Sequence, residues 1–365
     1  MIPLYTYPNC EDQKQNFFNH YVNECVGFLP DQPRTKFPDQ QSRVCRFCNK
    51  GYQETTFKQD SHAIPEALGN KYLVTDDECD ECNKLFAGYE TCLMDYLGLY
   101  RTAFNSKGKT NKVPKFKSPG GGLTASNTPF QNIEDAITIS DNSGDGFQID
   151  KDTGNTIISY TKNSYIPLYA YKALLKMALS LIDKKHISDY AEAFRCLITG
   201  TKDEHFSCFG RIGEAHISRQ MHTHYMIFKK RNPEDIPTHI FMLYYRNLIF
   251  QLFIPLHQED IKMYNSNLTR NILFCPPLLF QPVTADETAH FQIKDLSGRE
   301  KIKESGFLQM TMDNEALKHM AAVNPLTGEE VTDFLFKSKD IAKIMIVPAG
   351  SSLNFGKQKK DTEEN

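Results

Sequence analysis

Two Cys-x-x-Cys pairs and one histidine carry the chemistry written into this chain. Cys45-x-x-Cys48 and Cys79-x-x-Cys82 are separated by thirty residues, and His62 lies between them in Ser61-His62-Ala63-Ile64-Pro65-Glu66. Each pair can offer two thiolates from one tight turn, and two such turns supply the four sulfur ligands of a tetrahedral Zn²⁺. A histidine in the same loop is surplus to a structural zinc site. The pattern therefore predicts a metal-stapled scaffold on which a second, reactive centre is held.

The elements that must position these groups are legible in outline. At 365 residues the chain can bury a substantial core and form two or three domains. Residues 1–104 hold the cysteine cluster. Residues 105–129 read as a flexible basic linker. The stretch 101–132 lacks acidic residues, carries Arg101, Lys107, Lys109, Lys112, Lys115 and Lys117, and includes Pro119-Gly120-Gly121-Gly122. Residues 130–352 return to a globular pattern, and the polar tail 353–365 is expected to fray. Within the globular region short strands are expected over 136–140, 146–149 and 156–160. A helix is expected from Pro167, with Leu168, Tyr171, Leu175, Ala178, Leu179 and Ile182 on one face, followed by a second over 191–197. Segments 225–228, 239–244 and 248–254 are rich in β-branched and aromatic residues. They predict a buried antiparallel meander with a turn at Arg246-Asn247. The fold class is α+β, a small zinc-stapled unit followed by a larger mixed α+β domain.

Composition narrows the partners. A net charge of −3 gives no global attraction to nucleic acid, so any such binding needs a local patch. The longest apolar stretch, 240–256, is interrupted by Arg246, Asn247, Gln251 and Pro255, which argues against a membrane span. Met1-Ile2-Pro3-Leu4-Tyr5 has neither the basic nor the apolar run of a signal peptide. The other cysteines (Cys10, Cys25, Cys92, Cys196, Cys208 and Cys275) are scattered, so reduced thiols in a cytoplasmic protein are expected.

In order along the chain, Cys45-x-x-Cys48, His62-x-Ile64-Pro65-Glu66, Leu68-Gly69-Asn70 and Glu78-Cys79-x-x-Cys82-Asn83 resemble the zinc-bearing branch of the HNH endonuclease family. The resemblance implies a ββα-metal fold, in which a hairpin carries the histidine and a helix starting near Cys82 carries the last motif residue. It implies an endonuclease that cuts nucleic acid, DNA in preference to RNA, in settings such as phage defence or mobile elements. Phosphodiester hydrolysis needs a base to activate water and a divalent ion to stabilise charge. The resemblance makes His62 the base and Asn83 a ligand of a catalytic Mg²⁺ or Mn²⁺, alongside the structural Zn²⁺. Asp77 or its neighbour Asp76 takes the middle motif position that orients the base, Asn70 falling too early. The family commonly has an acidic residue before the histidine, whereas this chain has Ser61. Asp60 and Glu66 are then the candidates to complete the ion's ligands. The alternative is a zinc-dependent nucleic-acid-binding protein in which Ser61 has abolished catalysis. Either form is compatible with a homo-oligomer.

Three further patterns bear on function. Lys107, Lys109, Lys112, Lys115 and Lys117 could reach phosphates beside a cleaved bond, with Phe104 and Phe116 stacking on bases, or could merely solvate a linker. Asp141 to Asp152 mimics a calcium loop, but strand-like flanks favour a hairpin turn. His216, His222 and His224, near Arg211 and Arg219, could form a second metal or phosphate site, but a polar surface strand is the favoured reading.

Overall fold

A computed structural model describes residues 3–29, 40–130, 132–150, 153–199, 209–260, 272–285 and 287–311, with short pieces at 322–323, 330–331, 341–347 and 351. The polar tail and Cys208 lie outside the described residues. Helix α1 (Glu11–His20) runs into β1 (Tyr21–Phe28). The hairpin of β2 (Ser61–His62) and β3 (Val74–Thr75) precedes α2 (Asp80–Leu97) and the one-turn α3 (Tyr100–Ala103). Next come β4 (Phe116–Lys117), β5 (Leu123–Asn127), β6 (Ile137–Asp141), β7 (Phe147–Ile149) and β8 (Asn155–Thr161). Helices α4 (Pro167–Leu181) and α5 (Ala191–Thr199) lead to β9 (Arg211–Ile217), β10 (His224–Lys230), β11 (His239–Tyr245), β12 (Leu248–Phe253) and β13 (Ala289–Asp295). The last strands are β14 (Ser305–Thr311), β15 (Ala322–Val323), β16 (Glu330–Val331) and β17 (Lys343–Ile346). No helix among the described residues is long and apolar enough to cross a membrane.

The chain forms two compact units. One comprises Met1–Arg101, Ser106–Lys112 and Thr161–Gly306, the other Thr102–Asn105, Val113–Tyr160 and Phe307–Asn365. These do not coincide with the boundaries expected at 104 and 130. The cysteine cluster shares its unit with α4, α5 and the largest sheet.

That sheet has six antiparallel strands in the order β1-β10-β11-β12-β9-β13. The expected meander is β10, β11 and β12. Every residue of β11 and β12 is buried, so these strands are apolar on both faces rather than alternating. Arg246 turns between them with a φ of 58°, a left-handed conformation uncommon outside glycine. Helix α4 starts with Pro167 in its first turn, where the missing N–H costs nothing. It is buried on all sides rather than along one stripe, and even Lys172 and Lys176 are 0% and 1% exposed. His224 opens β10 and is buried against Tyr244 with ring centroids 4.1 Å apart. Burial pushes its pKa down to about 4. The polar surface strand expected there is therefore a core edge, because the imidazole stacks as an aromatic ring. His216 bonds Glu214 at 3.1 Å and the Tyr100 hydroxyl at 3.1 Å.

In the second unit, β4, β5, β6 and β17 form a four-stranded sheet. This corrects the expectation of a flexible linker over 105–129. Leu123 and Ala125 are buried alternately along β5, and Phe116 pairs with Ala125. Phe104 and Phe116 are 8% and 6% exposed, so they serve packing and not base stacking. The calcium-like segment is a hairpin only in its second half. Residues 141–146 link β6 to β7, and β7 then pairs antiparallel with β8, Ile149 opposite Thr156, in a separate three-stranded sheet with β14. The Asp141 carboxylate closes the turn by accepting from the backbone N–H of Ser143 at 2.9 Å and Gly146 at 2.7 Å. Asp152 lies outside the described residues.

Candidate active site

The first Cys pair forms a knuckle: Cys45 N–H donates to Lys50 O at 3.0 Å, and Asn49 N–H donates to Cys45 O at 2.8 Å. Asn49 takes a φ of 58° to close the turn. The second pair sits at the start of α2, with Cys79 as its N-cap and Cys82 in its first turn. The four sulfurs lie within 4.8 Å of one another, and Cys48 Sγ is 3.7 Å from Cys79 Sγ. A tetrahedral ion with Zn–S bonds of ordinary length needs sulfurs about 3.8 Å apart. The donor set therefore fits Zn²⁺. Burial pushes the Cys48 thiol up to about 12, while a hydrogen bond from Cys82 holds Cys45 down to about 5. Gathering four thiolates here requires a compensating cation.

Arg46, inside the first knuckle, ties it to α4. Its Nη1 donates to the carbonyls of Leu179 at 2.9 Å and Ser180 at 2.7 Å, capping the helix end. Its Nε donates to Asp77 Oδ2 at 2.8 Å. Asp77, expected in the motif's middle position, thus has its carboxylate turned to Arg46, and to Lys184 at 3.9 Å. Asp76 faces the same lysine at 4.0 Å.

The residue beside the imidazole is Asn70, which counting along the chain places too early. Strands β2 and β3 pair Ser61 with Thr75 and His62 with Val74. Asn70 is fully buried in the connecting loop. Its Oδ1 accepts from Leu73 N–H at 2.9 Å and Tyr72 N–H at 3.2 Å, and its Nδ2 donates to Ile64 O at 2.5 Å and Leu73 O at 2.9 Å. The two amide hydrogens are thereby used, and His62 Nδ1 at 3.3 Å is a weaker third contact. One side chain substitutes for the backbone partners that a longer hairpin would supply and fixes the loop beside the imidazole.

Strand alternation separates Ser61 from His62. Ser61 is 1% exposed and its Oγ is 3.5 Å from Glu78 O. His62 instead lines a groove of about 940 Å³ together with Asp60, Glu66, Asn83, Glu90, Asp95, Lys58, Arg101 and Lys109. His62 Nε2 lies 3.6 Å from Glu66 Oε1, and Asn83 Nδ2 donates to Gln59 Oε1 at 3.2 Å. Helix α2 supplies one wall through Asn83, Ala87, Glu90, Thr91, Met94 and Asp95. The stripe one residue earlier, Cys82, Phe86, Tyr89, Leu93 and Tyr96, is buried. Two adjacent helical stripes thus divide packing from chemistry, a periodicity readable in the sequence. Asp80, in the first turn, accepts from the N–H groups of Lys58 at 3.1 Å and Gln59 at 2.9 Å, fixing the opposite rim. Of the basic arm, Lys109 reaches the groove; its turn is held by Lys71 Nζ donating to Gly108 O at 2.7 Å. Lys107, Lys112, Lys115 and Lys117 are exposed, the last two in the other compact unit.

Sequence reasoning also missed Lys176. Its Nζ donates to His62 O at 2.6 Å and lies 3.1 Å from Glu78 and 3.6 Å from Glu90. Two lysines one helical turn apart in an otherwise apolar helix were the available signal. Burial raises Glu78 to about 7 despite this cation, and raises Glu90 as well. Lys176→Met should leave the buried Glu78 carboxylate, and the partly exposed Glu90, without their partner, a loss on the order of 3–5 kcal/mol, moderated because Glu78 can take up a proton. A carboxyl whose pKa is raised on folding loses stability as pH rises from its unfolded value through its folded one. The variant's defect should therefore deepen as pH rises through 7. Urea unfolding at pH 6 and 8 measures it, and equal stability to wild type at both would refute the role.

A hairpin carrying a histidine, a following helix and a four-sulfur staple define a ββα-metal unit within a larger α+β chain. Residues 45–88 match the family model described as HNH endonuclease. No curated protein and no solved structure matches the chain.

Proposed function

We propose that the groove is the active centre of a metal-dependent endonuclease that hydrolyses phosphodiester bonds, with DNA the preferred substrate. The observation that carries this reading is the meeting of His62, Asn83, Asp60 and Glu66 with three cationic side chains in one groove. The oxygen donors there are carboxylates and an amide, the set that suits Mg²⁺ or Mn²⁺. Burial raises Glu90 and Asp95 above the ordinary carboxylate range, so a dication would relieve the cost of their charge. When bound, such an ion stabilises charge on the scissile phosphate and the leaving oxygen. The chain's own contribution is His62, which takes the proton of the attacking water, with Asn70 holding the loop that presents it. Lys58, Arg101 and Lys109 meet flanking phosphates, and the four cysteines keep a structural Zn²⁺ at the start of α2. The decisive experiment incubates the purified protein with plasmid DNA and with RNA, under Mg²⁺ or Mn²⁺ and again under EDTA. Metal-dependent nicking of DNA supports the reading. Stable binding without cleavage in any metal supports the non-catalytic alternative.

Replacing Lys58, Arg101 and Lys109 together by alanine should weaken duplex binding and flatten its salt dependence, by roughly 0.9 in log–log slope for every phosphate no longer neutralised. Replacing Lys107, Lys112, Lys115 and Lys117 tests the exposed arm in the same way. An unchanged slope in the first variant would remove the groove from the binding surface.

A further inference from the structure

Away from the nuclease groove, Glu24, His186 and His239 bring three potential ligand atoms within 4.8 Å of one another. The local backbone is built to aim the carboxylate. Strand β1 pairs Asn23 with Phe228 and Cys25 with Ile227, which leaves Glu24 as the extra residue of a bulge. A bulge redirects a side chain out of the strand's regular alternation and is common beside functional sites. Glu24 Oε1 lies 3.0 Å from His186 Nε2, and Oε2 lies 3.3 Å from His239 Nε2. His239 is fully buried, and its Nε2 has no hydrogen-bond partner although it faces this carboxylate. The far side of each ring is braced: His239 Nδ1 meets the Tyr190 hydroxyl at 2.8 Å, and His186 Nδ1 lies 3.6 Å from Asp189 Oδ2. Outer contacts of this kind fix the tautomer and ring plane of metal-bound histidines.

We infer that Glu24, His186 and His239 form a second metal site, one that takes a divalent first-row ion of the Zn²⁺ class. Two imidazoles and one carboxylate are a recurrent zinc donor set, and their mixed nitrogen and oxygen character separates this site from the four-sulfur cluster. The ion would clasp the edge strand β1 to β11 and to the turn at Lys184–His186. Lys185 is the competing group, since its Nζ lies 3.0 Å from Glu24 Oε1. It gives the test its direction. If the cluster is only an ion-pair network, removing Lys185 loosens it; if it holds a metal, removing the rival cation tightens metal binding.

The full-length protein, expressed with cobalt in place of zinc, is the material for the test. With excess Mg²⁺ present to occupy the ion site of the groove, two cobalt ions per chain are expected, one for each cluster. The four-sulfur site should give intense thiolate-to-cobalt charge transfer, and the second site only weak visible bands. Glu24→Gln should lose the second ion and its bands while keeping the thiolate signature, which also shows that the variant is folded around its first metal. Lys185→Ala, at an exposed position, should raise the affinity for the second ion several-fold. One ion per chain in the wild type, two retained in Glu24→Gln, or weaker binding in Lys185→Ala would each overturn the assignment.

Discussion

His62→Ala is expected to lower phosphodiester cleavage by about a hundred- to ten-thousandfold, the usual worth of a positioned general base. Zinc content, melting behaviour and DNA affinity should stay close to wild type. The geometry explains the separation. The His62 backbone is held independently of its ring, by pairing with Val74 and by the Lys176 bond to its carbonyl. The imidazole meets Asn70 at 3.3 Å and Glu66 at 3.6 Å, both long for a hydrogen bond. Asn70→Ala should behave differently. It strips the loop's backbone groups of buried partners at about 1–3 kcal/mol for each group left unsatisfied, so stability falls together with activity. Asn83→Ala should lose cleavage without losing fold, and high Mn²⁺ should restore part of it if the amide oxygen is an ion ligand. Single-turnover cleavage of a labelled duplex under saturating metal distinguishes the three variants. Wild-type rates in His62→Ala would refute the proposed base.

Cys79→Ser is expected to be the most destabilising single change in the chain. A structural zinc site contributes on the order of 10–16 kcal/mol to folding in small zinc-finger peptides, and a missing thiolate forfeits much of that. Cys79 is fully buried and caps α2, and its carbonyl accepts from Asn83 N–H at 2.9 Å. Loss of the ion should therefore loosen the turn that carries Asn83. The damage should extend beyond residues 45–88, because the knuckle is packed into the rest of its unit. Phe47 meets Phe86 and Phe194 with centroids 4.7 and 5.5 Å apart, and Arg46 caps α4. Metal analysis, near-ultraviolet circular dichroism and thermal denaturation should report loss of the thiolate-bound ion and of fixed tertiary packing in the unit containing α4. Full metal content with an unshifted melting curve would show that Cys79 is not a ligand.

Much of the candidate site is legible in the sequence alone. The two thiolate pairs gather into one cluster, and His62 and Asn83 line one groove with Asp60 and Glu66 beside them. The meander at 225–254 and the helix opening at Pro167 are equally plain, because both rest on local apolar pattern. Counting residues favours Asp77 over Asn70, and counting fails in a loop whose path is set by side-chain hydrogen bonds. The segment 105–129 reads as a linker because charge and glycine dominate its composition, while a few buried positions in β4 and β5 decide that it pairs into a sheet.

What the sequence by itself determined is therefore the local chemistry: which turns can present two thiolates, which helix carries Asn83, and which histidine stands apart from the four-cysteine cluster. Those outcomes depend on backbone geometry over a few residues, and residue type plus spacing fixes that geometry. Only the tertiary structure decided that Lys176, 114 residues from His62, supports its strand, that Arg46 joins the knuckle to α4, and that Glu24 meets His186 and His239. Burial and ion pairing arise where distant surfaces close on one another, and no local pattern records which surfaces will meet.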